Sequence, residues 1–310
     1  MTIRRYKLSD EKNWENLLYR CKNPAFVLSR KFISYHEDKF EDFSIVIYTD
    51  NILIAAIPAC KIKKVWHAHP GLPFADIMIC DMFHWVKIRD ILNLLKHFLL
   101  NEGFEHAIFK IMPDIYKGML SDDMLYFLRD LGANLHEQKL TTAIPLFNYQ
   151  NVKKNVINKS KQNKRSFIFD SQEIDIADVY DLMKSYIFQK YQAIPIHSLV
   201  QLQKIMELFP QNVRCIAAYH DHKLKGGMFL FVYEKVVKVQ YIFSSEQYLA
   251  DILLLKAVEI YLSSHEYLDL GTSNSLPNNQ INYGNLDFKA KNGGKACIVE
   301  SYILPLNSVD

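Results

Sequence analysis

The stretch Trp66-His67-Ala68-His69-Pro70-Gly71-Leu72-Pro73-Phe74-Ala75-Asp76 gathers imidazoles, prolines, aromatic rings and a carboxylate in one short loop. An imidazole with an ordinary pKa near ~6.5 can accept a proton from an amine, which makes His69 a candidate base. Asp76 could hold a substrate ammonium or orient the histidine, and Pro73 and Phe74 are candidate substrate contacts, because loops stiffened by proline often carry binding residues. His67 and His69 are only two ligands, so no metal is expected. A second stretch holds Lys153, Lys154, Lys159, Lys161, Lys164 and Arg165 with no acid among them. It reads either as a solvated helical face or as a sink for phosphates, with Lys161 and Arg165 as the expected contacts. Asparagines rather than aromatics are interleaved, which favours phosphates on a small molecule over stacked bases. Cys21, Cys60, Cys80, Cys215 and Cys297 stand singly. With no Cys/His or Ser/His spacing to suggest a nucleophile, any group transfer is expected to be direct.

The elements that must position these groups occur twice. Ser44-Ile45-Val46-Ile47-Tyr48, the turn Thr49-Asp50-Asn51 and Ile52 to Ala59 read as a β-hairpin. So do Val213 to Tyr219, His220-Asp221-His222-Lys223 and Leu224 to Phe231. Ala55-Ala56 sits where Gly226-Gly227 sits. After each hairpin come a further strand (Ile77 to Cys80; Val237 to Phe243), an amphipathic helix and another strand (His106 to Ile111; Tyr267 to Leu270). The helices carry Ile88, Ile91, Leu92, Leu95, Phe98 and Leu99 in one case and Ile252, Leu255, Val258 and Leu262 in the other. The extra length of the first copy lies in Trp66 to Asp76. Such internal repetition predicts two copies of one α/β fold, residues 1–149 and 150–310, with the junction near Tyr149. Gln189 to His197 reads as a plain turn between two helices of the second copy.

A chain of 310 residues, 49% of them hydrophobic, can bury two cores. The formal net charge of +3 is too mild for a dedicated duplex-DNA binder. The amino terminus lacks the apolar core of a signal peptide, and the longest apolar runs, such as Ile52 to Cys60, are too short to span a bilayer. A cytoplasmic protein is expected, with no membrane insertion.

Hairpin, strand, long helix and strand is the order of the GNAT core, and two such units resemble the tandem-GNAT, FemAB-like acyltransferases. Asn282-Tyr283-Gly284-Asn285-Leu286-Asp287-Phe288-Lys289 followed by Gly293-Gly294 is similar to that group's G-x-x-x-FK-x-x-x-G element, which precedes the last strand, here Cys297 to Leu304. Tyr267-Leu268-Asp269-Leu270-Gly271-Thr272-Ser273 resembles its characteristic strand end; Trp14 and a helix from Ser29 to Phe40 also fit. The resemblance implies two mixed-sheet domains with an active cleft between them. The amino-terminal domain would form the acceptor side with a degenerate donor site, and the carboxyl-terminal domain would bind acyl-CoA as co-substrate. It implies that Lys289 stabilises the acyl oxyanion, and that the strand through Tyr241, Ile242 and Phe243 splays from its neighbour to take the pantetheine arm. Asn274 would assist, and Tyr283 would contact the acceptor. Single-domain members wrap the pyrophosphate in a glycine-rich turn. Here the turn reads Ser244-Ser245-Glu246-Gln247-Tyr248-Leu249, without glycine, and the helix N-terminus would supply amide donors against the charge of Glu246. The expected reaction is N-acylation of a nucleotide-linked aminosugar for surface polysaccharide such as lipopolysaccharide O-antigen or capsule. The competing expectations are an aminoacyl-tRNA-dependent, FemX-like transferase of peptidoglycan synthesis, with tRNA as partner, and a non-catalytic binder of phosphate ligands.

Overall fold

The computed structural model of the chain describes residues 1–34, 39–80, 85–148, 167–172, 174–275 and 279–306. Two compact units divide it: residues 1–138 with 298–310, and residues 139–297. The junction expected near Tyr149 lies outside the described residues.

Unit 1 begins with β1 (Thr2–Arg5), α1 (Glu11–Arg20), the single turn α2 (Arg30–Ile33) and β2 (Glu41–Asp42). The hairpin β3 (Ile45–Thr49) and β4 (Ile52–Ile57) follows, turning through Asp50 and Asn51 at φ 49° and 63°. Short polar residues tolerate this left-handed region, which matches the twist of the strands. Past Pro58 the chain continues as β5 (Ala59–Ile62), β6 (Val65–Ala68), a loop, β7 (Met78–Ile79), α3 (Trp85–Asn101), β8 (His106–Lys110), α4 (Asp123–Asp130) and β9 (Asn134–Pro145). One sheet runs β1-β3-β4-β7, all antiparallel. In the other, β6 pairs parallel with β8 and antiparallel with β5, which pairs with β2. The expected helical stripe is the buried face of α3: Ile88, Ile91, Leu92, Leu95 and Leu99 pack with Trp66, Phe104 and Phe109. Trp14 is fully buried.

Unit 2 takes the chain from Lys139 through the rest of β9 into β10 (Ile168–Asp170), α5 (Ile176–Tyr191) and α6 (Leu199–Leu208). The second hairpin, β11 (Val213–His220) and β12 (Lys223–Val232), turns through Asp221 and His222 at φ 49° and 57°. Then come β13 (Val236–Ser244), α7 (Leu249–Tyr261), β14 (Tyr267–Thr272), β15 (Asn274–Ser275), β16 (Gln280–Ile281) and α8 (Tyr283–Lys291). The strand order is β10-β11-β12-β13-β14-β9, with only the β13–β14 pair parallel. Cores lie on both faces. Val237, Val239, Leu253, Leu254, Val258 and Leu268 pack under α7, and Val179, Met183, Leu202, Phe229 and Phe243 pack under α5 and α6.

Register confirms the duplication at the level of single residues. Each hairpin carries one irregularity, after Ile47 in the first and after Ala218 in the second. The last strand, expected to close the second copy, does not. β17 (Lys295–Pro305) pairs antiparallel with β8, and its Tyr302 and Leu304 join the core of unit 1. The pairing is remote in sequence, so no local pattern reports it. The helix expected to reach Phe40 is one turn, with the residues after Ser34 partly outside the described ones.

Candidate active site

Parallel pairing between β13 and β14 lasts for three residues, Val236↔Tyr267, Val237↔Leu268 and Lys238↔Asp269, and then stops. Beyond it β13 runs on to Ser244 bonded only to β12, while β14 keeps its pairing with β9 through an irregularity between Asp269 and Thr272. At that point β13 also bulges. Phe229 faces Tyr241 but Leu230 faces Val239, so Gln240 is the extra residue. A bulge re-aims backbone groups and bends its strand away. Together the two features leave the edge of β13 from Gln240 to Ser244 facing a notch, with amide and carbonyl groups available to an extended ligand.

Close packing holds β13 in this place. A Cβ on Gly226 would lie 2.7 Å from the Phe243 carbonyl oxygen, and one on Gly227 would lie 2.8 Å from that of Ile216. Phe243 is buried under α5, and Ile242 packs on the opposite face, towards α7. The Tyr241 hydroxyl accepts the His197 backbone N–H at 3.2 Å and lies 2.7 Å from His197 Nδ1. Burial pushes the Tyr241 hydroxyl up to about 12, so it keeps its proton. The Gln189–His197 segment is therefore more than the plain turn expected, since its buried histidine is tied to the notch strand.

Lys289 lies at the other wall. It is 4% exposed, and its Nζ donates to Gly271 O at 2.7 Å, Thr272 O at 2.8 Å and Ser273 Oγ at 3.1 Å. All three ammonium hydrogens are thus spent on the end of β14. Burial lowers its pKa to about 8, against the pull of Asp269. Asp269 is itself buried and accepts from Thr141 Oγ1 at 3.0 Å and the Gly271 amide at 2.8 Å. Asn274 is likewise occupied, accepting from Leu140 N and donating to Asn279 O, so its side chain secures a turn. Tyr283, at the start of α8, is exposed.

Before α7, the turn spends much of its polarity on itself. Ser245 N and Oγ donate to Lys225 O, Glu246 N donates to Ser244 Oγ, and Ser244 Oγ donates to Glu246 O. The Glu246 carboxylate is neutralised by Lys225 at 3.3 Å. Tyr248 takes φ 64° at the helix start, Gln247 lies beside it, and Leu249 is buried.

The histidine loop of unit 1 is largely packed. Trp66, His67 and Ala68 belong to β6, and the loop proper runs from 69 to 77. His69 is buried and packs edge-to-face on Phe40 with centroids 5.3 Å apart, while Phe74 is buried against Tyr116. The Ala75 amide donates to Lys110 O at 3.1 Å, and Lys110 Nζ donates to the Pro70 and Leu72 carbonyls. Asp76 accepts from the Ile77 amide at 2.9 Å and lines a cavity of about 30 Å³, room for one water. Burial raises its carboxyl to about 6. A far larger cavity of unit 1, about 560 Å³, lies at the end of β8 and along α4, among Met112, Lys117, Tyr126, Arg129 and Glu300. Neither His69, Pro73, Phe74 nor Asp76 lines it. Lys161 and Arg165 fall outside the described residues, and among the described residues no cluster of His, Cys, Asp and Glu could hold a metal. No helix among them is long and apolar enough to cross a membrane.

No protein-family model and no curated protein matches the sequence. Solved structures do. FemX superposes with a TM-score of 0.66 at 12% identity, covering 99% of this chain and 98% of that one. L-PGS from Bacillus licheniformis gives 0.58 at 11% identity, over 98% and 94%. A tandem GNAT protein from the clavulanic acid biosynthesis pathway gives 0.57 at 9% identity, over 100% and 99%. The fold is that of the tandem GNAT-like acyltransferases.

Proposed function

We propose that the chain is an N-acyltransferase that seats an acyl-CoA thioester in the notch of unit 2 and passes the acyl group directly to an amine. The parting of β13 from β14 after Lys238 and Asp269, coinciding with the bulge at Gln240, carries this reading. An unpaired strand edge can bond an extended, amide-bearing arm as a further strand would. Amides freed at the bulge would be donors for a carbonyl oxygen turning into an oxyanion, a contribution of about two orders of magnitude or more in rate. Lys289 acts from behind this surface: its three bonds hold the strand end Gly271–Ser273 in place. For the acceptor, the sequence resemblance favours a nucleotide-linked aminosugar of surface polysaccharide synthesis.

A second reading replaces the thioester by an aminoacyl-tRNA ester. It is favoured by the likeness to FemX and L-PGS, and by the turn Ser244–Tyr248, whose amides are partly consumed before any pyrophosphate arrives. Binding and turnover assays separate the readings. Saturable binding of radiolabelled acetyl-CoA with transfer to an aminosugar nucleotide, in the absence of tRNA, supports the first. Transfer only from charged tRNA supports the second, and CoA binding without transfer to any amine leaves a non-catalytic binder.

A further inference from the structure

Unit 2 places more positive than negative charge on the sheet face that α5 covers. Val237 and Val239 pack towards α7, so strand alternation puts Lys238 between them on the α5 face. Leu268 and Leu270 also pack towards α7, which puts Asp269 on the same face as Lys238, its register partner. Lys289 reaches this strand end from α8. Two lysines thus compete for one carboxylate.

Their surroundings decide which of them keeps a proton. Lys289 donates to three oxygens, which only its ammonium form can do. Lys238 has no such support. Among the described residues, no hydrogen bond or ion pair holds its Nζ, and its partner on β12 is the buried Phe231. It also occupies the last paired position before the strands part, beside the bulge. A half-buried lysine that shares one carboxylate with a second cation and has no acceptor of its own favours its neutral amine.

We propose that Lys238 is the base that takes the proton shed by the attacking amine, an assignment that rests on the acyl-transfer reading above. The acceptor nitrogen bonds to the acyl carbonyl carbon, the C–S bond breaks, and sulfur leaves with its electron pair. The surplus proton on nitrogen passes to the neutral Lys238 amine, which returns it to the thiolate. Burial lowers the Lys238 pKa, with Asp269 opposing, and Lys238 in turn helps to lower that of Lys289. Other ionisable groups on this face include Tyr241 on the same strand, Tyr180 on α5, Cys215 and Tyr219 on β11, and His197 in the connection to α6. Burial raises Tyr180, Tyr219, Tyr241 and Cys215, so they stay neutral and supply no counter-charge.

Two measurements test the assignment. In protein labelled with ¹³C at lysine Cε, the Lys238 resonance is identified by its loss in Lys238→Arg and titrated in the free protein. It is expected to lose its proton below the ordinary lysine range, and titration within that range would overturn the proposal whatever the enzyme does. In the acetyl-CoA assay, Lys238→Met is expected to lower kcat about 100-fold or more, with KM for acetyl-CoA unchanged and the acidic limb of the pH profile gone. Arginine, always charged, is expected not to rescue. Undiminished kcat, or an unaltered profile, removes Lys238 as the base and leaves the acyltransferase reading standing. Absence of transfer by the wild-type protein from both acetyl-CoA and charged tRNA removes that reading, and the base with it.

Discussion

In unit 1 the parallel pair runs Val65, Trp66 and His67 against His106, Ala107 and Ile108; in unit 2 it runs Val236, Val237 and Lys238 against Tyr267, Leu268 and Asp269. The two registers correspond residue for residue, and His67 stands in the register position of Lys238. The next step separates them. Ala68 is followed by the loop from 69 to 77, where unit 2 has only Gln240, Tyr241 and Ile242 between Val239 and Phe243. In unit 1 that loop lies against β8: Ala75 bridges to Lys110, and the Lys110 side chain fastens the Pro70 and Leu72 carbonyls. In unit 2 the position matching Lys110 is Gly271, at φ 73°, with no side chain to reach across. One fold thus yields a filled gap and an open one, and the difference rests on a short insertion and one residue type.

Moving the insertion is the most severe way to break this comparison. Replacing Gln240–Ile242 by the segment 69–77 is expected to abolish CoA binding, at least about 100-fold by calorimetry, since the inserted loop occupies the edge the ligand needs. Retained binding would show that the notch is not the donor site. Next comes Lys289→Met, which strips a charged partner from the part-buried Gly271 and Thr272 carbonyls and from the buried Ser273 hydroxyl, and is expected to cost about 3 kcal/mol in denaturant unfolding of unit 2. A cost below about 1 kcal/mol would return Lys289 to a direct role at the acyl group. Gly226→Ala is expected to cost about 2 kcal/mol, because the new Cβ would press on the Phe243 carbonyl. The matching Ala55→Gly, in a strand that already accommodates a Cβ, should cost about 1 kcal/mol.

The smallest effect concerns Asp76. Its folded pKa is raised from 3.8 to about 6, so its ionised form weakens unit 1. The penalty is absent below the unfolded value and grows as pH rises from about 4 through 6. Asp76→Asn keeps the acceptor for the Ile77 amide. It is expected to stabilise the protein at pH 7 by about 1–2 kcal/mol, discounted for the solvent the side chain retains, and by nothing at pH 3.5. Thermal scans at the two pH values, with transfer activity measured alongside, check this. A loss of activity with no gain in stability would restore Asp76 to the chemistry.

How much of this was legible depended on whether the signal was local. The hairpin turns announced themselves through Asp50-Asn51 and Asp221-His222, residues that tolerate positive φ, and α3 through its apolar spacing. The insertion at 66–76 was visible as extra length, but its packing was not, because buried His69 and Phe74 look the same in sequence as exposed ones. Lys238 went unnoticed between Val237 and Val239. A lysine inside the apolar run of a central strand was the signal, and it gains meaning only once Asp269 and Lys289 are brought beside it by pairing remote in sequence. β17 was misplaced for the same reason.

That last strand has a consequence for how the protein is made. Unit 2 is one uninterrupted stretch of chain and can close as soon as it leaves the ribosome. Unit 1, although begun first, waits for residues 298–306 to supply the neighbour of β8 and the side chains of Tyr302, Leu304 and Leu306. Until the later copy has been synthesised in full, the earlier one stands with an unfinished sheet, and a nascent chain halted before Ile298 would leave the older half, not the newer, in need of a chaperone.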